Sequence, residues 1–162
     1  MAARIGVATA LACAVLLGAV RAEPARATLP AADDLARDGR TALQRGVPLV
    51  ILFSLPGCAY CEVVRRHYLL PLAREGPAGE RPLVREADLS SAAPLRGVDG
   101  GAASGSALGK RYGIRVAPSV LVLDGRGRQL APVLEGGDVA GMYGAYLDGT
   151  LAAARRALAE KR

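Results

Sequence analysis

The strongest constraint in this chain is a continuous apolar run, VPLVILF at residues 47–53, that ends four residues before a pair of cysteines. A run of this length with no polar alternation is the pattern of a strand buried on both faces. Such a strand needs a layer of other elements above it and another below, as in an α/β fold. The residues that follow, SLPGCAYC, make a tight turn, and beyond them Val63, Val64, Tyr68 and Leu72 recur at helical spacing. The cysteines therefore open a helix directly at the end of a buried strand. Pro71 is expected to perturb the end of that helix.

The rest of the chain supports the layered reading. Asp33 or Asp34 can cap a helix carrying Leu35, Ala36, Ala42 and Leu43 that stops at Gly46. Residues 83–89 read as a second strand, and 90–106, rich in Gly, Ala and Ser, read as a long loop with little internal structure. A short helix at 107–112 ends at Gly113. A strand at 116–123 is entered through Ala117-Pro118, turns at 124–127 and returns over 128–134 as a hairpin partner. Gly136-Gly137 breaks the chain, and Asp138 is expected to cap a final helix. Its stripe of Val139, Met142, Tyr143, Tyr146, Leu147, Leu151 and Leu158 reads as core. The order predicts one small mixed sheet with helices on both faces.

The N-terminus has a different character. A short basic start (residues 1–4) precedes an apolar run at 5–20 and then small residues, the order of a secretory signal peptide. Cleavage is expected after Ala22, with Ala27 as the second site, leaving a Pro/Ala linker over 23–32 and a folded domain over 33–162. An uncleaved membrane anchor is the alternative, but 16 apolar residues fall short of the ~20 that span a bilayer. Cys13 lies inside this run as a small apolar residue and would leave with the signal. The mature chain is thus expected in the periplasm with two cysteines, Cys58 and Cys61. In an oxidising compartment such a pair is bonded, metallated or cycling.

The spacing gives the pair its chemistry. Unpaired N–H groups and the dipole at a helix start favour the thiolate of Cys58, while Cys61, one turn deeper, is placed to resolve a mixed disulfide. Zinc needs about four ligands, and His67 is the one further soft or borderline candidate in the mature chain. Covalent haem attachment needs His after Cys61, where Glu62 stands. A purely structural disulfide would close a four-residue loop and contribute little. Net charge is +6, aromatics are 4% and Trp is absent, which argues against a nucleic-acid groove. Arg65 and Arg66 read as a solvated helix face, and His67 as a surface residue. No nicotinamide or flavin motif is present, so no cofactor and no metal are expected.

Two segments together, VPLVILFSLPGCAYC and YGIRVAPSVLVLDGRGRQLAPVLEGG, resemble the thioredoxin-like superfamily, including its exported bacterial members. The likeness spans roughly residues 43–158. It implies a thioredoxin-like α/β fold, Cys58 as attacking thiol, Cys61 as resolving thiol and Pro118 as a cis-proline facing them. It also implies that the backbone of Ala117 pairs with an extended substrate segment and that Ala59 and Tyr60 tune the redox potential. The chain departs from the family at three places. Gly57 replaces the Trp before the first cysteine, Leu52 replaces a buried acid, and the 90–106 loop is long. Glu86 is a candidate to take over proton transfer, against the plainer reading of a solvent-facing strand charge. The function implied is a periplasmic thiol–disulfide oxidoreductase reducing disulfide-bearing proteins, recharged by a membrane thiol-transfer donor. The rivals are the reverse, oxidising direction and a non-catalytic module that binds metal or a partner. No dimerisation domain is apparent, and a monomer is expected.

Overall fold

The computed structural model describes residues 28–160. The expected signal peptide, both cleavage sites, Cys13 and the first part of the linker lie outside the described residues. Among the described residues, no helix is long and apolar enough to cross a membrane.

The chain begins its regular structure with α1 (Leu35–Arg45), capped by the Asp34 side chain accepting from the N–H of Arg37 at 2.8 Å and closed by Gly46 at φ 65°. Strand β1 (Leu49–Ser54) follows, buried at all six positions. The cysteine-bearing helix has three parts: α2 (Ala59–Val64), a π-helical turn over Arg65–Leu69, and α3 (Leu70–Arg74). The wide turn is where Pro71 makes itself felt. Proline has no N–H, and its ring collides with the carbonyl four residues back in a regular helix. Here Leu70 donates to the carbonyl of Arg65, five residues back, and the helix runs on to Arg74.

Next come β2 (Leu83–Asp88), the two-residue strands β3 (Leu95–Arg96) and β4 (Ala102–Ala103), α4 (Gly105–Arg111), β5 (Ser119–Leu123), β6 (Leu134–Glu135) and α5 (Tyr143–Ala159). The main sheet has the order β2-β1-β5-β6. It is mixed: β1 pairs parallel to β2 and antiparallel to β5, and β5 pairs antiparallel to β6. The parity of β1 builds two cores. Val50 and Leu52 join Val64, Leu69, Leu147 and Leu151 on the face of the cysteine helix and α5. Leu49, Ile51 and Phe53 join Leu35, Ala42, Leu108 and Ile114 on the face of α1 and α4.

Five expectations need correction. Residues 28–32, read as the end of a linker, instead lie along β2. Ala31 bridges Glu86, Ala32 donates to the carbonyl of Glu86, and Leu29 and Ala32 are buried. The 90–106 stretch is not structureless, since β3 and β4 form a small antiparallel ribbon whose Arg96 N–H bonds the carbonyl of Asp33. The return strand after the 124–127 turn pairs only at Gln129 and again over β6. Pro132 between them cannot donate to a ladder. The α5 stripe divides. Tyr143, Leu147 and Leu151 are buried, whereas Val139, Met142 and Tyr146 are exposed: Val139 and Met142 precede the helix start at Tyr143, and Tyr146, within the helix, points about 100° away from the face set by Tyr143, Leu147, Leu151 and Ala154. Nor does Asp138 cap the helix: the N-cap position falls on Met142 with no side-chain cap bond, and Asp138 instead accepts the Tyr68 hydroxyl, which holds its carboxyl below the usual range.

Candidate active site

The cysteines lie where β1 gives way to α2. Cys58 occupies the N-cap position in extended geometry, and its Sγ accepts the backbone N–H of Cys61 at 3.1 Å. The two are joined as a disulfide, with Cα atoms 5.2 Å apart. Burial separates them: Cys58 is half-buried at the surface, while Cys61 is fully buried. Gly57 makes the preceding turn at φ 70°, a left-handed conformation that favours glycine. Ala59 and Tyr60, the two residues between the cysteines, are both exposed.

The Ala117–Pro118 peptide bond is cis. Pro118 directly precedes β5, and Ser119 of β5 is in register with Phe53 of β1, so the proline sits at the end of the sheet from which the cysteine loop emerges. A chain of contacts connects the two loops. The carbonyl of Pro118 accepts the N–H of Gly136, and the next residue, Gly137, packs so closely on Tyr60 that a Cβ there would stand 2.9 Å from the Tyr60 Cβ. Ala117 is half-buried, and among the described residues neither of its backbone groups has a backbone hydrogen-bond partner.

Behind Cys58 runs a groove of about 830 Å³, whose walls include Thr28, Leu29, Ala31, Leu55 and Cys58. Glu62, Arg65 and Glu86 form a further stretch of wall, an ion-pair network not expected from the sequence. The guanidinium of Arg65 donates from Nε and Nη2 to Glu86 at 2.8 and 2.5 Å and pairs with Glu62 through Nη1. Ser54 Oγ donates to the same Glu86 carboxylate at 2.5 Å. Arg66, half-exposed, pairs with Glu62 at 2.8 Å. Only Arg66 matches the solvated face expected of this arginine pair. The Arg65 side chain is 15% exposed and that of Glu86 16%, so neither is a solvent-facing charge. Hydrogen bonding to Glu86 pushes the Arg65 pKa up despite the opposing effect of burial.

The expected proton-transfer role of Glu86 meets this geometry directly. Glu86 is in register with Leu52, the apolar residue at the position of the missing acid. Both of its oxygens, however, are engaged by Ser54 and Arg65. It is a paired, fixed charge. Strand parity contains the signal: Leu52, Ser54 and Glu86 share a face, and Arg65 is four residues beyond Cys61 on the helix above it. His67 is exposed, as expected of a surface residue.

No protein-family model matches the sequence, and no curated protein matches it. Solved structures do resemble it in shape. A DsbH oxidoreductase superposes with a TM-score of 0.51 at 17% identity, covering 85% of this chain and 93% of its own. The chain has a thioredoxin-like fold. Oxidised thioredoxin O2 from Arabidopsis thaliana aligns over 77% of this chain and 96% of its own at 14% identity, with a TM-score of 0.48. A thioredoxin-fold protein from Helicobacter pylori aligns over 72% and 84% at 16% identity, with a TM-score of 0.47. Within this thioredoxin-like fold, the CxxC disulfide and the cis-proline stand at one end of the sheet.

Proposed function

We propose that this protein is a periplasmic thiol–disulfide oxidoreductase that reduces disulfides in other proteins. The observation that carries the reading is the asymmetry of the pair: Cys58 at the surface on a helix N-terminus, Cys61 sealed one turn below it. A partly exposed sulfur that receives a backbone N–H is favoured as thiolate and within reach of a partner. In the reducing direction the Cys58 thiolate attacks a substrate disulfide. A Cys58–substrate S–S bond forms, and the other substrate sulfur leaves as a thiolate. Cys61, as thiolate, then attacks Cys58 Sγ, displacing the second substrate thiolate and leaving the Cys58–Cys61 disulfide. Two electrons pass to the substrate, and a membrane thiol-transfer protein returns them. The unpaired backbone of Ala117, beside Pro118, supports a substrate held as an extended segment. Exposed Tyr60 and Ala59 lie where that segment must pass.

The test is trapping. Cys61→Ser should accumulate mixed disulfides with periplasmic proteins, and Cys58→Ser should accumulate none. A titration against glutathione then fixes direction. A potential near −270 mV matches a reductant of the thioredoxin type, and one near −120 mV reverses the direction to that of a strong oxidant. A pair that never cycles refutes the enzyme reading in favour of a binding module.

A further inference from the structure

Resting on the redox reading above, we propose that Arg65 is a positioning residue that sets the reactivity of Cys58 through its ion pair with Glu86. Cys58, Cys61 or Glu62, and Arg65 follow one another at spacings of three, four and seven, and so share one stripe of the helix. The N–H of Arg65 donates to the carbonyl of Cys61, placing the guanidinium's residue one turn beyond the resolving sulfur. Its side chain reaches across to Glu86 on β2, which is also held by Ser54, the last residue of β1. The network thus clamps the strand that enters the cysteine loop to the helix that leaves it. It also forms the wall of the groove that opens on Cys58.

Charge in this wall must reach the thiolate. Seven residues at 1.5 Å rise put Arg65 about 10 Å from Cys58 along the helix. Both partners of the Arg65–Glu86 pair are about 85% shielded from solvent, so salt screens them weakly. In the intact pair the two charges largely cancel at Cys58; removing Arg65 uncovers the Glu86 carboxylate, and removing Glu86 leaves Arg65 with Glu62 as its one carboxylate partner. At that distance and an effective dielectric near 20, a bare charge alters the thiolate's stability about tenfold. The other charged groups lining the groove, Glu62, Arg66 and Asp88, remain in place in either variant.

The two single variants must therefore act in opposite directions. In Arg65→Met the bare Glu86 carboxylate disfavours the thiolate, so Cys58 titrates higher and, measured at a pH where the native Cys58 is ionised, the redox equilibrium with glutathione moves up to about tenfold toward the disulfide. In Glu86→Gln the guanidinium, left with Glu62 as its one carboxylate partner, favours the thiolate and moves the equilibrium the other way, by several-fold rather than tenfold because Glu62 offsets part of its charge. Tenfold corresponds to 29.6 mV for this two-electron couple. The double variant Arg65→Met/Glu86→Gln and the charge-preserving Arg65→Lys should both lie within about twofold of the native constant. A merely structural clamp would lower thermal stability in both singles without opposing shifts in potential. Equal-signed shifts, or a change below twofold in Glu86→Gln, overturn the proposal. If Arg65→Met does not fold, Glu86→Gln against the double variant decides it alone. A native pair that fails to equilibrate with glutathione defeats the redox reading instead, so the two failures are distinguishable.

Discussion

The Asp38–Arg85 ion pair offers a quantitative test of how the fold is held. Asp38 of α1 accepts from Nε and Nη2 of Arg85 on β2 at 2.7 and 2.6 Å, a bidentate pair with side chains 5% and 17% exposed. Removing one partner of a buried pair costs about 3–5 kcal/mol, because the survivor's charge stays buried without compensation. The two halves are not equivalent. Without Asp38, Arg85 keeps its bond to the Val84 carbonyl at 2.8 Å and its partial contact with water. Without Arg85, Asp38 keeps neither, since the guanidinium is its only side-chain partner among the described residues. Asp38→Ala should therefore cost about 3 kcal/mol and Arg85→Met about 4–5 kcal/mol. The first shifts the thermal midpoint by roughly 10 °C and the second by more, for a domain of this size. The double variant Asp38→Leu/Arg85→Met removes both charges and should recover most of the loss. Urea unfolding followed by circular dichroism, with the linear extrapolation, measures all three. If Asp38→Ala costs as much as Arg85→Met, or the double variant is no better than the worse single, the argument from asymmetric burial is wrong.

Two further outcomes follow from the same packing. Gly105 opens α4 with its backbone against that of Asp88, where a Cβ would overlap the Asp88 carbonyl. Gly105→Ala should therefore destabilise by about 1–3 kcal/mol in the same assay, and a neutral result would mean that the contact is loose. At Asp124 burial pushes the carboxyl up. The N–H groups of Arg128 and Arg126 and the Arg128 guanidinium outweigh it, so the net pKa lies below the ordinary value. A depressed carboxyl stabilises the fold above its unfolded pKa and loses that contribution as pH falls through the folded one. Asp124→Asn should lower stability at pH 7 by about 1–2 kcal/mol and flatten the acid limb below pH 4, read by thermal melts across pH 2–7. An unchanged acid limb would refute the turn's role.

What the sequence discloses is whatever depends on short-range pattern. The buried run at 47–53, the Asp34 cap, the Gly46 stop and the helix opened by Cys58 are all local, and each lies within a residue or two of its expected place. What it conceals depends on partners distant in the chain. Glycine and serine in 90–106 look like loop until the β3–β4 ribbon finds the backbone of Asp33. Leu29 and Ala32 look like linker until β2 gives them an edge to lie on. Val139 and Met142 fit a helical stripe by spacing, but α5 starts only at Tyr143 and leaves them outside it, while Tyr146 lies on the helix but off its packed face.

The site shows the same division, with a chemical consequence. A single buried acid under the cysteines would be recognised from one position, and Leu52 at that position looks like a loss. The structure instead places three charges, Glu62, Arg65 and Glu86, with the Ser54 hydroxyl bonded to Glu86, on β1, the cysteine helix and β2, none diagnostic alone. A lone buried carboxylate can take up and release a proton, because it has no compensating charge to hold it ionised. A carboxylate whose oxygens are both engaged by a guanidinium and a hydroxyl serves as one half of an ion pair. Replacing the first arrangement by the second shifts the adjustable quantity from proton exchange to electrostatic balance. The potential of Cys58–Cys61 then depends on how evenly Arg65 and Glu86 cancel.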